Sequence, residues 1–196
     1  MYPEVILNLV ESFKALPGIG TKTAERYAFA VLELEEEQIK LFSETLKNIK
    51  SKITNCKTCN VLCENDKCMI CNDDSRSNIL CVVEDSKSVF LFEKMGLFNG
   101  KYHVLDNLIS PINGVDLNNL GMDKLLDRIK LEKFDEIIFA FKPSIEGETT
   151  ALYIKRILED LNIKFTYIAS GVPIGADMEY IDTMTLERAI NDRKEI

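Results

Sequence analysis

Four cysteines stand in the pattern Cys56-x2-Cys59-x8-Cys68-x2-Cys71. Each C-x-x-C pair can set two thiolates on one metal ion, and two pairs supply the tetrahedral four-sulfur set that zinc prefers. A set of four leaves no open coordination position, so one structural Zn²⁺ per chain is expected, serving folding rather than catalysis. Disulfide or redox pairs are the other use of such spacing. Cys63 lies inside the loop at a less regular spacing and reads as a spare thiol. Cys81 lies in an apolar run and reads as core.

A second group is acidic. The run ILCVV is followed by Glu84 and Asp85, and IIFAF is followed by KPSIEGETT with Glu146 and Glu148. Carboxylates at the carboxyl ends of parallel strands lie where ligands bind in open α/β sheets, and three of them converging could hold Mg²⁺. The plainer reading is that they begin the next helix and complement its dipole.

A third group is basic. In LPGIGTKTA, Gly18 and Gly20 allow backbone conformations closed to other residues and a close approach to another surface. The helix that follows opens with free N–H groups that suit a phosphate, and Lys22 and Arg26, four apart, share one of its faces. Such a clamp positions a nucleic-acid backbone without reading bases. Together with Leu16, Ile19 and Ala24 the pattern resembles a helix-hairpin-helix motif, a module that holds DNA by its backbone.

The elements that must position these groups can be read from periodicity. Helices are expected over Pro3 to Phe13, from about Thr21 to Leu32, and along a third stripe at Ile39, Phe42, Leu46, Ile49 and Ile53. From residue 79 the runs ILCVV, YHVL, IIFAF and FTYIA alternate with amphipathic stretches at about 86–95, 121–131, 148–161 and 183–193, which implies βαβ units and a mostly parallel sheet. Phe90, Leu91, Phe92 and Leu97 are expected in the core, and the lone His103 is expected to be packed rather than a catalytic base. The fold class is therefore a multi-module α+β chain. Its expected parts are a helical DNA-binding region at 1–54, a four-cysteine zinc finger at 55–78, an α/β domain at 79–168, and a C-terminal loop and helix at 169–196.

Composition narrows the partners. The 196 residues carry 24 Lys+Arg and 32 Asp+Glu, a net charge of -8. Backbone binding of nucleic acid draws on Lys and Arg, so DNA contact must come from a local patch. Residues 1–78 hold 10 basic and 12 acidic side chains, while 79–196 hold 14 and 20, which favours the N-terminal part. One histidine excludes a multi-histidine metal site within the chain. No apolar run exceeds six residues, against about 20 for a membrane span. The segment MYPEVILNLVESF lacks the basic start of a secretory leader, so a cytoplasmic location is expected.

Glu84 after the first strand, with Glu146-Gly147-Glu148 after a later one, resembles the Toprim fold of topoisomerases and primases. Catalytic members carry a D-x-D pair at the positions occupied here by Lys142 and Ser144. Both carboxylates are missing, and a cation at 142 would repel Mg²⁺. The order of modules is similar to that of the RecR family of bacterial recombination mediators. The segments that carry the resemblance are ALPGIGTKTAERYAF, the cysteine spacing, YHVL with SPINGV, PSIEGETTALY and GVPIGADMEYID.

Members usually have Asn where Lys142 stands, Thr or a similar residue at Cys63, His at Ser170, and Gly-Glu at Ala176-Asp177. Their G-V-P loop is described as Walker B-like, and no P-loop GxxxxGK[ST] occurs here. The resemblance implies a ring-shaped homo-oligomer, often a tetramer, that can encircle DNA, with single-stranded, double-stranded and gapped DNA as partners. It works with RecO and RecF to load RecA onto gapped single-stranded DNA. Gly18, Gly20, Lys22 and Arg26 would face DNA, and Glu84, Glu146 and Glu148 would face RecO. The rival is a Mg²⁺-dependent Toprim nuclease or topoisomerase-like enzyme, and a third reading is a zinc-ribbon interaction module without DNA binding.

Overall fold

The structure is a computed structural model that describes residues 2–96, 98–105, 107–110, 122–169 and 171–193. The SPINGV segment beyond Ser110, Leu97 and Ser170 lie outside the described residues. The chain divides into two compact units, residues 1–52 and 53–196.

The first unit is helical. Pro3 precedes α1 (Glu4–Lys14), where its fixed φ and missing N–H cost nothing. Helix α2 (Thr21–Leu32) packs on α1 through Val10, Ala24 and Ala28, with Ile6, Leu9, Phe13 and Ile19 around them. Two alanines on the inner face of α2 let the helices approach closely.

Helix α3 (Glu36–Lys52) carries the stripe read from the sequence but buries none of its residues. Ile39, Phe42, Leu46 and Ile49 are all exposed. The helical period is as the sequence implies, and its apolar face is not buried within the first unit.

The second unit starts with a short antiparallel pair, β1 (Thr54–Asn55) and β2 (Leu62–Cys63), that carries the first cysteine pair between its strands. A parallel four-stranded sheet follows, built from β3 (Ile79–Val83), β4 (Lys101–Val104), β5 (Glu136–Ala140) and β6 (Lys164–Tyr167) in the order β4-β3-β5-β6. Its helices are α4 (Ser86–Met95), α5 (Met122–Glu132) and α6 (Ile145–Ile157), and α7 (Thr183–Asn191) ends the chain.

Strand residues alternate between the faces, as the two-residue pleat requires. Leu80, Val82, Ile137 and Phe139 join Leu125 and Ile129 of α5 and Ile154 of α6 in one core. Cys81, Val83 and Ala140 join Val89 of α4, Tyr102, Val104 and the finger residues Cys56, Cys59, Val61 and Cys68 in the other. The finger thus covers one face of the sheet. Val104 N–H donates to Cys59 O at 2.9 Å, and Leu62 N–H donates to Ser86 Oγ at 3.0 Å.

The polar stretch at 72–78 is tied down by Arg76. Its guanidinium grips Glu93 with both terminal nitrogens and donates to Gly100 O.

Phe92 packs inward, but Phe90 and Leu91 are exposed, which corrects the expectation that both are core. They stand on the outer face of α4, whose inner face is Ser86, Val89 and Phe92. His103 is buried in β4 and its basicity falls to about 3, chiefly from burial, with Arg128 and Lys124 adding to it. It is neutral at ordinary pH and enclosed, which suits a packed residue.

Gly147 has a packing reason. A Cβ there would lie 2.6 Å from Lys142 O and 2.9 Å from the Tyr167 hydroxyl. Gly147→Ala is expected to destabilise the second unit by about 1–3 kcal/mol, because backbone must move to admit the methyl. Urea unfolding measures it, and an unchanged midpoint would contradict this packing.

Candidate functional site

The chain turns from α1 to α2 at Gly18, whose φ of 82° lies in the left-handed region. Gly20 is different. It has an extended backbone, with φ -82° and ψ 169°, and a Cβ there would meet nothing within 4 Å. Among the described residues nothing demands glycine at 20, and its smallness leaves the start of α2 open to an approaching surface.

Gly20 is the N-cap of α2 and makes no side-chain cap, and no acidic residue stands in the first turn. The first N–H groups of the helix therefore point outward with the positive end of its dipole. Lys22 and Arg26 are both exposed. Among the described residues neither makes an ion pair, and the Arg26 guanidinium lies 5.4 Å from the centre of the Tyr27 ring. Gly18 lies in the turn before α2, Gly20 caps it, Lys22 stands in its first turn and Arg26 one turn further on.

The four cysteines converge. Their sulfur atoms all lie within 4.8 Å of one another. Sulfurs 2.3 Å from a central ion would sit about 3.8 Å apart, so the set fits zinc. Asn60 adopts a φ of 62° and donates its N–H to Cys56 O at 2.8 Å, closing the first knuckle. The second knuckle runs into a single 3-10 turn, Ile70–Asn72.

Backbone amides aim at the sulfurs. Cys68 N–H donates to Cys56 Sγ and Cys71 N–H to Cys68 Sγ, both at 3.4 Å. The Cys68 thiol is held well below the usual thiol range by hydrogen bonds from Cys59 and then Cys71, while Cys59, as the donor to Cys68, is pushed up. Cys56 is lowered as well and Cys71 is raised, so the shared hydrogen bonds split the set into two cysteines that favour thiolate, the form that binds metal, and two that favour thiol. Cys63 is outside this set and donates its S–H to Asn65 O at 2.8 Å. Cys81 is buried in β3, and burial pushes its thiol up to about 12.

The acidic group sits where β3 and β5 end, at the point where the strand order reverses. Glu84 Oε1 accepts from the backbone N–H of Lys142 across that gap. Asp85 caps α4 by accepting from Ser88 N–H at 2.8 Å, which lowers its carboxyl, helped by Lys87 and Lys142. Ser144 caps α6 by accepting from Gly147 N–H at 3.1 Å. Glu146 and Glu148 stand in the first turn of α6, not on the strand end, and so complement its dipole.

Glu148 is ion-paired with Arg188 of α7. Sequence reading missed that pair, since nothing local links residues 40 apart. Among the described residues the four cysteines are the one group of three or more His, Cys, Asp or Glu placed to share a metal ion. The three glutamates do not form a cation site there.

The loop 171–182 is irregular, with Gly175 at φ 80° and one 3-10 turn, Met178–Tyr180. It leads into α7, which Asp182 caps through Thr185 N–H at 2.9 Å. Among the described residues no helix is long and apolar enough to cross a membrane.

A helical pair with an open phosphate-type helix end, a four-cysteine finger and a parallel sheet with acids at its switch point define a Toprim protein with a helix-hairpin-helix region. Residues 78–169 match the Toprim domain, residues 6–50 the RecR helix-hairpin-helix, and residues 171–194 the RecR C-terminal region. The chain is 44% identical to the recombination protein RecR of Staphylococcus haemolyticus over 196 residues, covering 100% of this chain and 99% of that protein. It is 43% identical over the same span to the recombination proteins RecR of Staphylococcus aureus and Natranaerobius thermophilus, with 99% and 98% of those proteins covered. The chain belongs to the RecR family.

Proposed function

We propose that this protein is a non-catalytic DNA-binding clamp of recombinational repair. In this reading it acts with RecO and RecF in the cytoplasm, at the nucleoid, to help load RecA onto gapped single-stranded DNA. The observation that carries the reading is the start of α2, which has no side-chain cap and is flanked by Gly18 and Gly20 and by the exposed Lys22 and Arg26, which make no ion pair among the described residues. Phosphate contacts of this kind hold any sequence. One Zn²⁺ on Cys56, Cys59, Cys68 and Cys71 holds the finger against the sheet.

The acids Glu84, Glu146 and Glu148 serve as a surface for a basic partner, RecO, rather than as a Mg²⁺ site. Support comes from what they already do: Glu84 binds a backbone amide, Glu148 pairs with Arg188, and Lys142 and Ser144 stand where catalytic Toprim members have aspartates. The reading is tested by RecA nucleation on a gapped duplex coated with single-strand binding protein. Adding this protein with RecO should speed nucleation and leave the strands intact. No acceleration, or strand scission, would overturn it.

The exposed apolar face of α3 supports self-assembly into a ring, with a tetramer as the expected size. Contiguous apolar surface of this kind marks an interface. A ring lets weak phosphate sites act together. Phe42→Asp with Leu46→Asp is expected to reduce the assembled mass to half or less, as read by light scattering on a sizing column. An assembly of unchanged mass would show that this face is not the interface.

A further inference from the structure

Helix α7 has a weak hold on the rest of its unit. It buries none of its residues, and Met184 and Ile190 are largely exposed. Beneath it lies a cavity of about 490 Å³ bounded by Phe141, Pro143, Tyr167, Met184, Thr185 and Arg188. Among the described residues the buried Tyr167 hydroxyl has no hydrogen-bond partner. Among the described residues, the hydrogen bonds made by residues 171–193 are local to that segment, with one exception: Arg188 to Glu148 of α6. One partly exposed ion pair is thus the polar tie that seats the C-terminal arm.

That tie uses a carboxylate on the proposed partner surface. We propose that α7 is a displaceable cover over the acidic face of α6, and that an arginine of the basic partner replaces Arg188 on Glu148. The inference rests on the acid-surface reading given above. Arg188 shows which chemistry Glu148 accepts, a guanidinium, and the cavity that Arg188 lines leaves room for the arm to shift. Binding then competes with closure, so the apparent affinity falls with the fraction of molecules in which the arm is seated. The competitor is a partly exposed pair, and such pairs are weak. Its removal should therefore give a modest gain.

The test uses the full chain and its RecO, with binding measured by titration calorimetry at low salt. Arg188→Ala should tighten RecO binding about two- to fivefold. Arg188→Lys, which keeps the charge, should remain near the unchanged protein, and Glu148→Gln should weaken binding. Hydrogen exchange in residues 183–191 should rise when RecO is bound. Normal metal content and unfolding of the variants show that they fold.

If Glu148→Gln weakens binding while Arg188→Ala leaves it unchanged or weaker, the cover is wrong and the acidic surface stands. If Glu148→Gln has no effect, both fail. Slower exchange in α7 on RecO binding would also overturn displacement.

Discussion

Replacing Lys22 and Arg26 together by alanine is expected to weaken binding to a gapped duplex on the order of a hundredfold at low salt. Each exposed cation is placed to make one charge-assisted contact with a phosphate, at roughly 1.5 kcal/mol, and about 1.4 kcal/mol is a factor of ten. The loss should be alike for every DNA sequence, because the contacts position the backbone and read no base. Neutralising two phosphates per chain also contributes about 1.8 to the slope of log affinity against log salt, and the variant should lose that contribution for each chain engaged.

The fold should not suffer. Both side chains are exposed, and the packing of α2 on α1 rests on Ala24 and Ala28. Anisotropy titrations at two salt concentrations check both effects. Unchanged affinity, or a loss confined to one sequence, would contradict a backbone clamp at α2.

Replacing Cys56 by serine is expected to remove the bound zinc and, with it, cooperative unfolding of residues 53–196. A structural zinc site carries on the order of 10–16 kcal/mol of binding free energy, comparable to or above the 5–15 kcal/mol that holds a whole domain together. The finger cannot come loose alone, because Cys56, Cys59, Val61 and Cys68 form one buried cluster with Cys81, Val83, Val89 and Tyr102 of the sheet. Cys81→Ala is the control. It removes a buried thiol from the same cluster and should lower stability yet retain one zinc per chain. Metal analysis beside a thermal unfolding scan distinguishes the two. Full zinc content with normal unfolding of Cys56→Ser would show that the four cysteines are not the ligand set.

The parts of this molecule that depend on local spacing were legible in the amino-acid sequence. The C-x-x-C pairs did gather, since a knuckle is a short turn whose geometry is set within a few residues. The start of α2 at Thr21 followed from the glycine turn before it, and the alternating apolar runs became parallel strands.

What depends on distant parts of the chain was not legible. For Glu146 and Glu148 the sequence left two readings open, strand-end acids or the start of a helix, and the structure places both in the first turn of α6. Glu84 spends its carboxylate on the Lys142 amide, 58 residues away. The exposure of Phe90 and Leu91 reflects which face of α4 meets the sheet, which their type alone cannot encode. The α3 stripe has the right period for burial, yet the first unit does not bury it.

The central claim is that this Toprim protein holds DNA without cutting it. The most direct measurement is a titration of a labelled gapped duplex in Mg²⁺ at two salt concentrations, with the same samples then run on a denaturing gel. The account predicts binding that weakens steeply with salt and strands that remain whole. Cleaved or rejoined strands would mean that Glu84, Glu146 and Glu148 support chemistry despite Lys142, and the clamp account would be contradicted.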